Sequence, residues 1–233
     1  MARLPRLALT GLPHQVLQQG HNRQAVFLDD ADRSRYLSLL REAAQSEGLA
    51  VHAYVLLEDR VWFLATPERD AALSRALQAT GRRYVREFNR RHDRSGTLWE
   101  GRFRSSLVEP GEWVLRVQQA IESAPVRAGW VERPEGWRWS SHSHHAGVTI
   151  DPLIRPHASV WALGNTPFER ESAYRQRFED LLDTSIIQNI ESRLKSGIPT
   201  ASTHWQKQLE ALKGVVLQRR PVGRPRRNPP ELG

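Results

Sequence analysis

The sequence predicts an α+β fold, a ferredoxin-like antiparallel sheet with helices on one face, followed by a C-terminal helical extension. Three observations lead there. Strand-period and helix-period segments alternate in the order strand, helix, strand, strand, helix, strand, helix, which is the order of a split βαβ unit. Only Glu58, Asp59 and Arg60 separate the second and third strands, a connection that tight strands share when they run antiparallel. The 233 residues are 39% hydrophobic, with eight Trp and six Phe, enough to bury one good-sized core and leave an appendage.

Each element has its own local signal. His14 to Gln19 alternates and reads as the first strand, followed by a polar loop through His21, Asn22 and Arg23. Asp29, Asp30 and Asp32 put negative charge at a helix N-terminus ahead of the stripe Tyr36, Leu37, Leu39, Leu40 and Ala43, and Gly48 stops that helix. Leu49 to Leu57 and Val61 to Thr66 are the paired strands. Asp70 to His92 is a second helix whose inner face carries Leu73, Leu77, Tyr84 and Phe88, and the Gly96 loop ends it. Arg102 to Val108 is a further strand, and Pro110 opens a helix through Trp113, Leu115, Val117 and Ile121 that Pro125 ends. No alternating pattern returns after Gly147, so the core domain is expected over 1–147. A helical extension over 148–213 follows, with helices at Phe168 to Leu182, Ser185 to Lys195 and His204 to Leu212. Residues 214–233 hold four prolines and five arginines with little to bury, the composition of a disordered basic tail.

Charge narrows the function. Thirty-four Lys and Arg against 26 Asp and Glu leave a net charge of +8, and the pI is near 10.6, which favours a polyanionic partner. Arginine dominates the excess, and its planar fork suits phosphates and base edges, so nucleic acid leads membrane. No run approaches the ~18 apolar residues of a membrane helix, and Met1-Ala2-Arg3-Leu4-Pro5-Arg6 is not the start of a secretory signal, so a cytoplasmic, nucleoid-associated location is expected. The absence of cysteine excludes disulfides, thiolate metal sites and cysteine nucleophiles. Arg82, Arg83, Arg86, Arg90, Arg91, Arg94, Arg102 and Arg104 fall within 23 residues, offset only in part by Glu87, Asp93 and Glu100, and are the candidate DNA-backbone contacts. A solvated helix face is the plainer account of the same charges.

Several blocks stand in a definite order: His21-Asn22-Arg23-Gln24-Ala25-Val26-Phe27, Ala53-Tyr54-Val55-Leu56, Arg83-Tyr84-Val85-Arg86-Glu87-Phe88-Asn89-Arg90-Arg91, Ser95-Gly96-Thr97-Leu98-Trp99-Glu100-Gly101-Arg102-Phe103 and Pro125-Val126-Arg127-Ala128-Gly129-Trp130-Val131, with Trp137-Arg138-Trp139-Ser140-Ser141 beyond them. Over roughly residues 10–147 the chain resembles the REP-associated branch of the single-tyrosine, insertion-sequence 200-like HUH transposases. The resemblance implies a ferredoxin-like fold and recognition of hairpin, repeat or single-stranded DNA. It also implies a His-x-His pair on a central strand holding Mg²⁺ or Mn²⁺, a helix tyrosine that attacks the phosphate to give a 5′-phosphotyrosine link, and a polar ligand four residues later on that helix.

At those positions the chain departs from the family. Glu58-Asp59-Arg60-Val61-Trp62 puts Arg60 and Trp62 where the two histidines belong, and counting back from Pro125-Val126 puts Ala120 at the tyrosine and Ala124 at its companion. No catalytic residue is intact, and with the ligands replaced no metal and no other cofactor is expected. Arg60 would instead offer a fixed positive charge to the phosphate that the metal faces in the family.

Other residues invite sharper and plainer readings. His142, His144 and His145 are the densest imidazole cluster, either a relocated metal site or a solvated loop with no carboxylate nearby in sequence before Asp151. His52 and Tyr54 share a strand face, as a ligand and nucleophile pair or as ordinary packing. Tyr84 is either a nucleophile or a core ring with its hydroxyl at the surface. Trp99, between Gly96 and Gly101, is either a stacking platform for an unpaired base or a core tryptophan. Gly223-Arg224-Pro225-Arg226-Arg227 matches the centre of an AT-hook, in which Arg224, Arg226 and Arg227 would enter a narrow minor groove. The expected function is DNA binding without cleavage. An active transposase or single-strand endonuclease with a displaced site is the alternative, and an RNA-binding or toxin-like regulator is a third class. No membrane partner is expected, and the sequence leaves the oligomeric state open.

Overall fold

The computed structural model describes residues 8–180 and 182–214. The AT-hook-like Arg224, Arg226 and Arg227 therefore lie outside the described residues. In chain order the elements are β1 (His14–Gln19), α1 (Asp30–Glu47), β2 (Leu49–Leu57), β3 (Arg60–Pro67), α2 (Ala72–Arg91), β4 (Arg104–Leu107), α3 (Glu112–Glu122), the single turns α4 (Ala124–Arg127), α5 (His142–His145) and α6 (Ala158–Trp161), then α7 (Pro167–Gln176), α8 (Thr184–Ser196) and α9 (Thr203–Lys213). The sheet order is β2-β3-β1-β4 and every pairing is antiparallel, which gives the ferredoxin-like arrangement the sequence predicts. Pro110 does not open α3. Gly111, at φ 90°, takes the N-cap position and the helix starts at Glu112.

Side-chain alternation divides the sheet into two cores. One face presents Val16, Tyr54, Leu56, Val61 and Phe63 to α1 and α2, whose Tyr36, Leu39, Leu40, Leu73, Leu77, Tyr84 and Phe88 lie in the same packed cluster. Phe27, Tyr36, Tyr84 and Trp99 form its aromatic centre, with ring centroids 5.2–6.2 Å apart. The other face presents Leu17, Ala53, Val55, Leu57, Trp62 and Leu64, and α3 covers it with Val114, Val117, Ala120 and Ile121. Thus α1 and α2 share one face as predicted, whereas α3 takes the opposite one. The reason lies in β2, whose nine residues are all buried: a strand apolar on both sides needs cover on both sides.

The extension supplies the rest of that cover. Ile190 and Leu194 of α8 join the second core, and Leu209 of α9 packs on Leu107 of β4. Buried Gln15 on β1 fastens the extension polarly as well, since its Nε2 donates to Ser106 Oγ at 3.0 Å, Thr200 Oγ1 at 2.8 Å and the Ile190 carbonyl at 3.3 Å. Among the described residues no helix is long and apolar enough to cross a membrane.

If α8 is part of the core, Ile190→Ala should lower the unfolding free energy by about 2–5 kcal/mol, whereas Asn189→Ala on its exposed side should change it by less than about 0.5 kcal/mol. Urea denaturation of the two variants checks this, and equal small effects would show that the extension is not docked.

Candidate nucleic-acid interface

The positions that would carry chemistry by resemblance are packed with apolar groups. Trp62, Ala120 and Ala124, at 4%, 0% and 7% exposure, are members of one buried cluster on the second face. The small side chains of Ala120 on α3 and Ala124 at the start of α4 pack in the same cluster as the Trp62 indole, whose Nε1 is buried without a hydrogen-bond partner. Neither a guanidinium at Arg60 nor an indole at Trp62 can ligate a hard divalent cation, so these residues do not fit the family's metal. Arg60 lies at the start of β3 outside that cluster and forks onto Asp59, at 2.7 Å and 3.0 Å from its two carboxylate oxygens. Its charge is thereby offset, contrary to the expectation that it stands free for a phosphate.

The arginine-rich stretch divides into two sets with different surroundings. Arg83 is ion-paired with Glu42 at 2.6 Å, and Arg91 clamps Asp29 and Asp32 at 2.5 Å. Both pairs join α2 to α1, and so does Glu87 with Arg35. Arg94 donates to Gln24 Oε1 at 2.8 Å with its guanidinium 5.6 Å from the Phe88 ring, and Arg104 is 3.9 Å from Glu100. Arg82, Arg86, Arg90 and Arg102 are exposed and make no hydrogen bond or ion pair with a described residue. The first three are spaced by four, which sets them in a row along one side of α2.

Beside that row, α2 and the loop before β4 enclose a cleft of about 400 Å³, lined among others by Gln18, Leu77, Gly81, Arg82, Arg102 and Phe103. Its loop wall is firmly held. Gly20 bridges Trp99, the His21 amide donates to the Leu98 carbonyl at 2.9 Å, Gln24 Nε2 donates to the same carbonyl at 2.9 Å, and the Glu100 amide donates to Gln19 at 2.7 Å. The turn that provides these bonds is strained, because Asn22 and Arg23 both sit in the left-handed region at φ 51° and 58°. Gly20 is required there, since a Cβ would lie 2.2 Å from the Gln24 carbonyl oxygen. Trp99 is only 8% exposed and packs on Tyr36 and Tyr84, so its ring is a core ring and not an open stacking platform. Its Nε1 is nevertheless buried without an acceptor, a state that costs about 1–3 kcal/mol. Sequence reasoning found the arginines but missed Gln18 and Gly81. The one available signal was a glycine in the interior of a predicted helix.

The remaining candidates are structural. Tyr84 is 1% exposed, and its hydroxyl is not at the surface as expected but donates to the Val26 carbonyl at 2.6 Å; burial pushes its pKa up. A register shift between Val51 and Ala53 places His52 in a bulge, so it does not alternate simply with Tyr54. His52 bonds the Arg155 carbonyl and Thr66 Oγ1, burial lowers its pKa to about 4, and Tyr54 donates to Asp151 at 2.7 Å. His142 and His145 are buried at 0% and 5% in a helical turn instead of a solvated loop. The structure brings Glu122 of α3, at 0% exposure, against His142 Nδ1 at 3.3 Å, with Glu135 at 3.1 Å from Nε2. Ser141 and Tyr174 donate to the same Glu122 at 2.5 Å and 2.6 Å. Burial pushes the Glu122 carboxyl up and the His142 imidazole down, but their mutual hydrogen bond and charge, together with nearby His145 for Glu122 and Glu135 for His142, leave Glu122 below and His142 above their ordinary values. Among the described residues no three metal-ligating side chains converge, so the three histidines do not form a metal cage.

No protein-family model matches the chain, and no curated protein matches it. Among solved structures, a REP-associated tyrosine transposase bound to a REP hairpin superposes with a TM-score of 0.52 and 16% identity, over 68% of this chain and 93% of that one. The chain has a transposase-like fold. A candidate transposase from Deinococcus radiodurans R1 is 23% identical over 52% of this chain and 97% of its own length, but its TM-score of 0.37 adds nothing to the fold assignment.

The buried His142 gives a pH test. A raised folded pKa contributes stability that is fully present below the ordinary 6.5 and lost as pH rises through the folded value. His142→Gln should therefore cost about 3 kcal/mol at pH 6 and distinctly less at pH 9.5. Urea midpoints of both proteins at the two pH values read the difference, and a cost independent of pH would mean that the imidazole is not charged between the glutamates.

Proposed function

We propose that this chain is a DNA-binding module on a transposase-like fold, related to DNA transposition by descent, that holds hairpin, repeat or single-stranded DNA without cutting it. The observation that carries the proposal is the row of Arg82, Arg86 and Arg90 with Arg102 across the cleft, four exposed guanidinium groups without partners among the described residues. Uncompensated arginines in a row repel one another, and a phosphate backbone is the polyanion whose spacing and charge relieve that repulsion. The hairpin bound by the similar solved structure supports the choice of DNA substrate. The non-cutting part of the reading is supported by the burial of Trp62, Ala120 and Ala124, the positions that the resemblance gives to ligands and nucleophile, in one apolar cluster. Under this proposal residues 1–147 are the DNA-recognition domain, 148–213 brace its second face, and Arg224, Arg226 and Arg227 in 214–233 add minor-groove contacts. The same role implies a nucleoid-associated location.

Fluorescence anisotropy with a labelled DNA hairpin between 50 and 200 mM salt tests the binding. Affinity should fall linearly on a logarithmic scale, and each of Arg82→Gln, Arg86→Gln and Arg90→Gln should weaken binding and reduce the salt slope by about 1. Incubation of the same hairpin with Mg²⁺ or Mn²⁺ should give no cleaved strand and no covalent adduct. A protein–oligonucleotide adduct would refute the non-cutting part, and tighter binding of an RNA hairpin in competition would refute the choice of DNA.

A further inference from the structure

His142 is bonded to two carboxylates of very different standing. Its imidazole is 0% exposed and lies between Glu122 of α3, at 3.3 Å from Nδ1, and Glu135 of the single 3₁₀ turn Pro134–Gly136, at 3.1 Å from Nε2. The Glu122 side chain is fully buried, whereas that of Glu135 is 46% exposed. From α7 and the residues after it, Tyr174 and Phe178 pack on the ring with centroids 6.0 Å and 4.4 Å away. His145 feels both His142 and Glu122, but burial lowers its pKa below the ordinary 6.5, so it is neutral where His142 titrates. Arg133 is the further charge felt by Glu135.

A short stretch of chain depends on the Glu135 bond. Residues 131–136 hang between Trp130, whose amide donates to the Pro125 carbonyl at 3.0 Å, and Trp137, whose Nε1 donates to the Leu56 carbonyl at 3.1 Å. Inside the stretch the Gly136 amide donates to Arg133, and the Trp137 amide donates back to Pro134. Among the described residues, Glu135 with His142 is the one hydrogen bond or ion pair that ties 131–136 to a distant segment. Glu132, Arg133, Glu135 and Gly136 are exposed.

The number of protons on His142 decides how many carboxylates it can hold. A charged imidazole donates from both nitrogens, but a neutral one keeps a single N–H and turns a lone pair toward the other carboxylate. That repulsion is severe against Glu122, which no water screens, and mild against Glu135, which water can solvate. Loss of the proton therefore breaks the Glu135 bond and spares the Glu122 bond. Burial alone would lower the His142 pKa, but the hydrogen bonds and charges of Glu122 and Glu135 outweigh it and hold the pKa above its ordinary value. The charged form is thus complete below pH 6.5 and disappears as pH rises through the folded value.

We infer that His142 and Glu135 form a proton-operated latch, which holds residues 131–136 closed while the imidazole is charged and frees that stretch, with the rest of the fold intact, when the imidazole gives up its proton. The latch works whether or not the arginine row of α2 holds DNA.

The chain has no cysteine, so a single introduced thiol can carry a nitroxide spin label without background. On the full chain, a label at Glu132→Cys should be restrained at pH 6 and mobile at pH 9.5, with a midpoint above 6.5. A label at Gln188→Cys on the exposed side of α8 should not change. Adding Glu135→Ala removes the acceptor and should leave the label at 132 mobile at both pH values. Adding Glu135→Gln should restrain it at both, because an amide accepts from the charged imidazole through its oxygen and donates to the neutral one through its nitrogen. Glu135 is half-exposed, so neither substitution opens a cavity in the core. The latch would be overturned by a label at 132 that ignores pH, by a pH response that survives either Glu135 substitution, or by a Glu135→Ala protein that stays restrained. A Glu135→Gln protein that behaves like Glu135→Ala would overturn it too, and so would a parallel change at 188, which would mean that the whole fold loosens.

Discussion

The central constraint is a four-stranded sheet that must be buried on both faces. β2 has no polar side, so burying only the α1/α2 face would leave Ala53, Val55, Leu57, Trp62 and Leu64 in water. Covering them demands that α3 lie close to the sheet and that α8 close the remaining gap. Ala120 meets the first demand, Ile190 and Leu194 the second. On this face Trp62, Ala120, Ala124 and the α8 residues Ile190 and Leu194 pack into one buried cluster.

The charged surface follows from the opposite face. α1 and α2 lie side by side, and ion pairs cross their seam: Arg83 with Glu42, Arg91 with Asp32 and the N-cap Asp29, and, in the reverse sense, Glu87 with Arg35. Exposed pairs of this kind contribute little to stability, but they fix which arginines remain available. Arg82, Arg86 and Arg90 take no part in the seam, and Arg82 lines the cleft whose other wall is held by the strained turn at Asn22 and Arg23. Chain segments far apart in sequence thus form one rigid surface: β1 gives Gln18, α2 gives Gly81 and Arg82, and the loop before β4 gives Arg102 and Phe103.

A second polar group holds the extension in place from within. Glu122 on α3 receives Ser141, His142 and Tyr174, and so ties α3 to two later segments at a fully buried point. A carboxylate there is tolerable only because every partner is present, and the cost of removing one is the cost of leaving a charge buried alone.

Much of the fold was legible in the sequence. β1 and β2 occur at the predicted residues, and α1, α2, α8 and α9 near theirs, because period and local end signals such as Asp29 and Gly48 act over a few residues. What the letters could not show is anything that depends on which face a helix chooses. Trp99 and Tyr84 are core rings because α2 packs with α1 against the sheet, His142 is buried because Glu122, twenty residues earlier, is brought to it, and Arg83 differs from Arg82 only because α1 lies on one side of α2 and not the other. Local sequence sets periodicity, and periodicity sets strands and helices. Burial, charge partners and an open cleft are properties of neighbours distant in the chain, so they come into being only when the sheet is packed.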